Sequence, residues 1–112
     1  MKRVVVTGIG AVTPVGNSAS AFWESVCIGK NGIAPITRFD TSESKYKLAA
    51  EVKDFDPTQY MEKLAAKKLD LFTQYAMAAA SEAMNDSSLE GKIEQDELAV
   101  YFGSGIGGFE TF

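Results

Sequence analysis

Two stretches of this chain are apolar at successive positions rather than at alternate ones. The first, within residues 3–7, reads Arg-Val-Val-Val-Thr, and the second covers residues 98–102, Leu-Ala-Val-Tyr-Phe. Side chains of a strand point to opposite faces in turn, so an unalternated run suits a strand covered on both sides. Both runs are predicted to be strands buried in a helix-covered sheet. Gly8, Gly10, Pro14 and Gly16 then rule out regular structure after the first. A helix is predicted over residues 19–28, with Asn17 or Ser18 offering the short side-chain oxygen that caps a free amide, and Gly29 as its stop. Phe22, Val26 and Gly29 fall on one face of that helix, with Trp23 beside them.

Residues 31–44 form a loop rich in Gly, Pro, Thr, Ser and Asp, and residues 46–52 alternate weakly enough to be a short strand. Asp56-Pro57 marks a helix start, with Asp as cap and Pro at the first helical position. A longer helix is predicted over residues 65–85. Leu69, Phe72, Ala76, Ala79, Ala80 and Ala83 line one side of it, and Leu71, Tyr75 and Ala78 widen the apolar surface. A helix so rich in alanine is expected to pack at close quarters. Strand, helix, short strand, helix, strand is an α/β order. A strand apolar on both faces needs paired neighbours, and few candidates are present. Residues 1–112 therefore read as a single domain's worth of an incomplete α/β layer, the opening section of a larger protein.

Composition narrows the chemistry. Eleven basic and fifteen acidic side chains leave a net charge of −4, which argues against general nucleic-acid affinity. Cys27 is the single cysteine, so no internal disulfide and no multi-cysteine metal site can form. The chain contains no histidine, which removes Cys-His and Ser-His catalysis and histidine zinc sites from this stretch. No catalytic residue, metal site or bound cofactor is expected within it. Lys2-Arg3 precedes an apolar run, as in a secretory signal, but Thr7, Gly8, Gly10 and Pro14 break the run. No segment approaches the ~20 apolar residues of a membrane span. The chain reads as cytoplasmic, which leaves Asn85-Asp86-Ser87 without meaning as a glycosylation triplet.

Four features could carry function. Gly103-Ser104-Gly105-Ile106-Gly107-Gly108 fits the G-x-G-x-x-G pattern after a predicted strand, which in a dinucleotide-binding domain brings backbone close to a pyrophosphate. A nicotinamide-nucleotide site would also need a following helix and an acidic residue ~20 positions on. Otherwise the glycines make a tight turn. Thr7-Gly8-Ile9-Gly10 fails the same pattern, because Thr13 stands where the third glycine is needed. Cys27 is expected to be a buried, inert thiol, since Lys30 alone offers it positive charge. Lys63, Lys67 and Lys68 form a basic cluster, either a solvated face or a docking patch for an acidic partner. A non-catalytic interaction module, a short product that binds a carrier protein or a partner subunit, is a further alternative.

Taken in order, Arg3 to Gly8, Thr13-Pro14-Val15-Gly16-Asn17, Trp23, Asn31-Gly32-Ile33, Phe39-Asp40-Thr41, Val52-Lys53-Asp54-Phe55, Asp70, Phe72, Gln74-Tyr75 and the glycine run carry a resemblance over the full length. The chain resembles the N-terminal part of the β-ketoacyl-acyl-carrier-protein synthases, most closely the elongating synthase II type. That resemblance implies a thiolase-like layered α/β fold, of which this is an incomplete N-terminal half, and a homodimer. It implies decarboxylative Claisen condensation of an acyl-enzyme with malonyl-acyl carrier protein. The family's catalytic cysteine and two histidines have no counterpart here, and Cys27 does not match the nucleophile's setting. Two family features do map onto this sequence. Ile106 corresponds to the isoleucine lining the acyl-chain pocket, and Lys67 and Lys68, with Lys63, correspond to the docking patch for acyl carrier protein. The acyl substrate rides on the carrier's phosphopantetheine, so no separate cofactor is implied.

Overall fold

The computed structural model describes residues 2–108, which divide into two compact units, Ala11–Phe55 and residues 2–10 with 56–108. The first unit is closed by hydrogen bonds between side chains and nearby backbone. Helix α1, Ala19–Cys27, starts at Ser18, whose Oγ accepts the Ala21 amide at 3.2 Å. Asn17, the other candidate cap, instead donates through Nδ2 to the Lys53 carbonyl at 2.7 Å. The helix stops as expected, with Gly29 at φ 67°. Its buried residue is Ser25, whose hydroxyl donates to the Val15 carbonyl at 2.7 Å. This corrects the apolar face expected from Phe22 and Val26: both are exposed, and Trp23 is 65% exposed. Cys27 is exposed as well, against the buried thiol expected.

The weakly alternating stretch yields one short antiparallel pair. β1, Ala34–Pro35, faces β2, Leu48–Ala49, with Ala34 opposite Ala49. Pro35 has no amide to donate, so the ladder cannot extend far through it. Beyond the pair, the Ile36 amide donates to the Lys47 carbonyl at 3.0 Å. Glu51 then fastens the open end. Its carboxylate accepts the Thr37 hydroxyl at 2.7 Å and the amides of Thr37 and Arg38 at 3.2 and 3.4 Å. Those bonds, led by the Thr37 hydroxyl, hold the Glu51 carboxyl below the usual glutamate range.

The second unit is built on α3, Leu71–Ser87, with a short α2, Lys63–Ala66, and 3-10 turns at Pro57–Gln59 and Gln95–Glu97. Asp56 caps the first turn as expected, its carboxylate accepting the Thr58 amide at 2.9 Å. The single helix expected over residues 65–85 is in fact two. The chain leaves the helix after α2 and re-enters at Asp70, which is extended at φ −60° and ψ 152°. Gln74 stabilises the break: its Nε2 donates to the carbonyls of Ala66 and Leu69, both at 2.9 Å. Carbonyls at a helix end have no partner in the helix itself, and a side-chain amide can supply one.

The alanines of α3 receive the chain's first loop. A Cβ on Gly8 would overlap the Ala83 carbonyl oxygen, and one on Gly10 the Ala79 carbonyl oxygen, so only glycine permits this approach. The Ile9 amide between them donates to Asp86 Oδ2 at 2.9 Å. Ala78 is 2% exposed, the most deeply buried apolar residue described.

Neither predicted buried strand forms a ladder. Val4 is 91% exposed, Val6 81% and Tyr101 91%, and among the described residues no strand pairs with either run. Sequence made them strands because their apolar pattern asks for cover on two faces. The described residues supply neither that cover nor a pairing edge. No helix among the described residues is long and apolar enough to cross a membrane.

Candidate functional site: a basic turn and a glycine loop

The three lysines singled out from the sequence lie on one short stretch. Lys63 opens α2, and Lys67 follows its last residue, its amide donating to the Lys63 carbonyl at 3.2 Å. That bond is one helical turn, so the two side chains leave the same side. Lys68 continues the turn through its amide to the Ala65 carbonyl at 3.0 Å. All three lysines are exposed, while Ala66 between them is buried and anchors the turn. Thr58, Met61 and Glu62 join Lys63 in lining an open hollow beside the helix. Among the described residues none of the three lysines forms an ion pair, so their charge faces outward uncompensated. Such a surface suits an acidic partner, whose approach it speeds and orients.

The glycine run is a loop. Gly107 takes φ 74°, and its amide donates to Ser104 Oγ at 2.9 Å, which folds residues 104–107 into a turn. Ile106, at the crest of that turn, is 76% exposed. Gly103 and Gly105 border open space, whereas a Cβ on Gly107 would lie 3.8 Å from the Phe72 ring of α3. A dinucleotide reading needs a paired strand before the glycines and a helix beginning at them. The preceding run is unpaired and no helix begins up to Gly108, so the loop gives that reading no support among the described residues.

Sequence reasoning singled out the lysines and Ile106 and put Phe72 on the apolar side of the long helix, but gave no structural work to Gln74. A glutamine among the largely apolar residues 71–80 was the available signal, since such a side chain is buried only when it finds partners.

Comparison with known proteins bears on the chain as a whole. The family described as Beta-ketoacyl synthase, N-terminal domain, matches residues 1–112. The chain is 46% identical over 111 residues to 3-oxoacyl-acyl-carrier-protein synthase 2 of Synechocystis sp., covering 98% of this chain and 27% of that protein. It is also 46% identical over 112 residues to the Staphylococcus aureus protein of the same name, covering 99% and 27%. A solved structure described as the ishigamide ketosynthase/chain length factor aligns with a TM-score of 0.70 at 32% identity, over 85% of this chain and 23% of that one. The chain thus spans about a quarter of the length of the curated relatives it matches. The ketosynthase fold comes from these likenesses, and the chain belongs to the beta-ketoacyl synthase family, through its N-terminal domain.

Proposed function

We propose that this chain is the N-terminal part of a 3-oxoacyl-acyl-carrier-protein synthase of the elongating type, a cytoplasmic homodimeric enzyme of fatty acid synthesis. The observation that carries this reading is the 46% identity to synthase 2 proteins, sustained across nearly the whole chain. In the proposed reaction, a cysteine thiolate outside this sequence takes the acyl group from its carrier and releases the carrier thiol. Malonyl-carrier then loses carbon dioxide, and the carbanion left behind attacks the acyl thioester carbonyl. A new carbon–carbon bond forms and the cysteine thiolate departs. Two histidines, also outside this sequence, polarise the thioester carbonyl. Residues 1–112 contribute recognition to that scheme: Lys63, Lys67 and Lys68 receive the acidic carrier protein, and Ile106 borders the acyl chain.

The test is charge reversal in the full-length enzyme. Lys67→Glu with Lys68→Glu is expected to raise the apparent KM for carrier-bound substrates about tenfold at low salt, because rim charges act on encounter and orientation. Small thioester mimics should keep their KM, and the difference should shrink as salt screens the patch. An unchanged KM for carrier-bound substrates would return the lysines to a solvated face.

A further inference from the structure

Ile106 stands open at the crest of its turn. Its side chain is 76% exposed, and among the described residues the Gly107 amide donates to Ser104 Oγ beneath it. Gly103 and Gly105 have no atom within 4 Å of where a Cβ would lie. Gly107 differs. The nearest neighbours to its Cβ position are two atoms of one ring, Phe72 Cζ at 3.8 Å and Cε1 at 4.0 Å. Of these three glycines Gly107 is the one that faces α3, with the Phe72 ring about a methyl's width beyond its Cα, one residue from Ile106.

Phe72 is well suited to be a support. It lies in the first turn of α3, two residues before Gln74, which ties that turn to the Ala66 and Leu69 carbonyls. A ring with two side-chain torsions on a hydrogen-bonded helix start is a firmer reference than the loop it meets. Phe72 is 41% exposed among the described residues, so its ring is open toward the loop and not enclosed by the helix packing. We infer that Phe72 is a positioning residue for Ile106: its ring backs the glycine turn, and so sets how sharply the pocket discriminates acyl chain lengths. This rests on the reading of Ile106 as an acyl-pocket residue.

The experiment compares kcat/KM for long and short acyl-carrier substrates in the full-length enzyme. Ile106→Phe tests the pocket itself, because a packed pocket tolerates little added volume; long chains should lose activity before short ones. Phe72→Ala should then move the long-to-short ratio at least threefold toward unity, with short-chain kcat within about twofold of the parent. Phe72→Tyr should restore the parent ratio. A purely structural role for Phe72 would lower both substrates together and leave the ratio fixed. If Phe72→Ala does not accumulate as folded protein, Phe72→Leu serves instead, since it keeps apolar bulk but loses the flat ring. A ratio that moves in Ile106→Phe but in no Phe72 variant overturns this inference and leaves the pocket reading standing. A ratio unmoved in Ile106→Phe overturns the pocket reading, and the inference with it.

Discussion

Ala11–Phe55 and the runs at residues 3–7 and 98–102 meet the same physical demand in opposite ways. In the first, polar atoms find partners close by: Ser18 caps α1, Ser25 reaches Val15, Asn17 reaches Lys53, and Glu51 gathers the amides of Thr37 and Arg38. The two apolar runs have no strand partner among the described residues, and Val4, Val6 and Tyr101 stand in the open. The difference is one of range. Turns, caps and clamps are settled within a few tens of residues, whereas a doubly covered strand needs partners from elsewhere in a sheet. This chain is about a quarter of its relatives' length, and the residues that look unfinished are the ones whose needs are non-local.

The comparison breaks most sharply at Gly10, where a non-local contact is fully made. Gly10→Val places a branched side chain against the Ala79 backbone, and should cost about 3 kcal/mol in urea unfolding by the overpacking and shift it forces. Gly105→Ala, which meets nothing, should stay within ~0.5 kcal/mol and serves as the control. Equal costs at the two positions would mean that the first loop does not rest on α3.

A smaller effect is expected at the bare runs. An exposed, unpaired apolar strand segment templates association with other chains, and lysine on it opposes that. Val4→Lys with Val6→Lys should lower self-association of the 112-residue chain, read by sedimentation, while leaving its helix content by circular dichroism unchanged. Undiminished association would locate the sticky surface elsewhere, with exposed Trp23 the next to change.

The smallest expected effect sharpens the local side. Glu51 has its carboxyl lowered chiefly by the Thr37 hydroxyl, so its contribution is present above the ordinary glutamate range and is lost as pH falls through the lowered value. On acidification the Thr37 and Arg38 amide resonances should shift with a midpoint below that of a free glutamate. Glu51→Gln should flatten that titration. A midpoint at the ordinary glutamate position would mean that the clamp does not persist in solution.

What was legible in the sequence follows the same division. A cap at Asn17 or Ser18, the stop at Gly29 and the Asp56-Pro57 start were all readable, because each is decided by a residue's own donors, acceptors or torsions, and the structure chooses Ser18. The break between α2 and α3 was not. Residues 65–70 have respectable helix propensity, and what interrupts them is the Gln74 amide returning to two carbonyls, a tertiary contact that periodicity cannot see. The face of α1 was misassigned for a related reason: its apolar side chains are exposed and a serine is buried, held by a carbonyl ten residues earlier. At the candidate site, the lysine cluster was apparent from charge spacing, but the partner proposed for it rests on likeness to a family alone. Ile106 was likewise marked by resemblance, and its support by Phe72 needed coordinates.

The single thiol has a consequence of its own. Cys27 is exposed at the last residue of α1, and the sequence offers it no second cysteine. Under oxidising conditions the chain therefore has a covalent valence of one: two copies can join through a Cys27–Cys27 bond, and no third can be added by the same chemistry. In the 112-residue chain the same valence makes the position a unique attachment point, so a maleimide-linked spin label there would report on the end of α1.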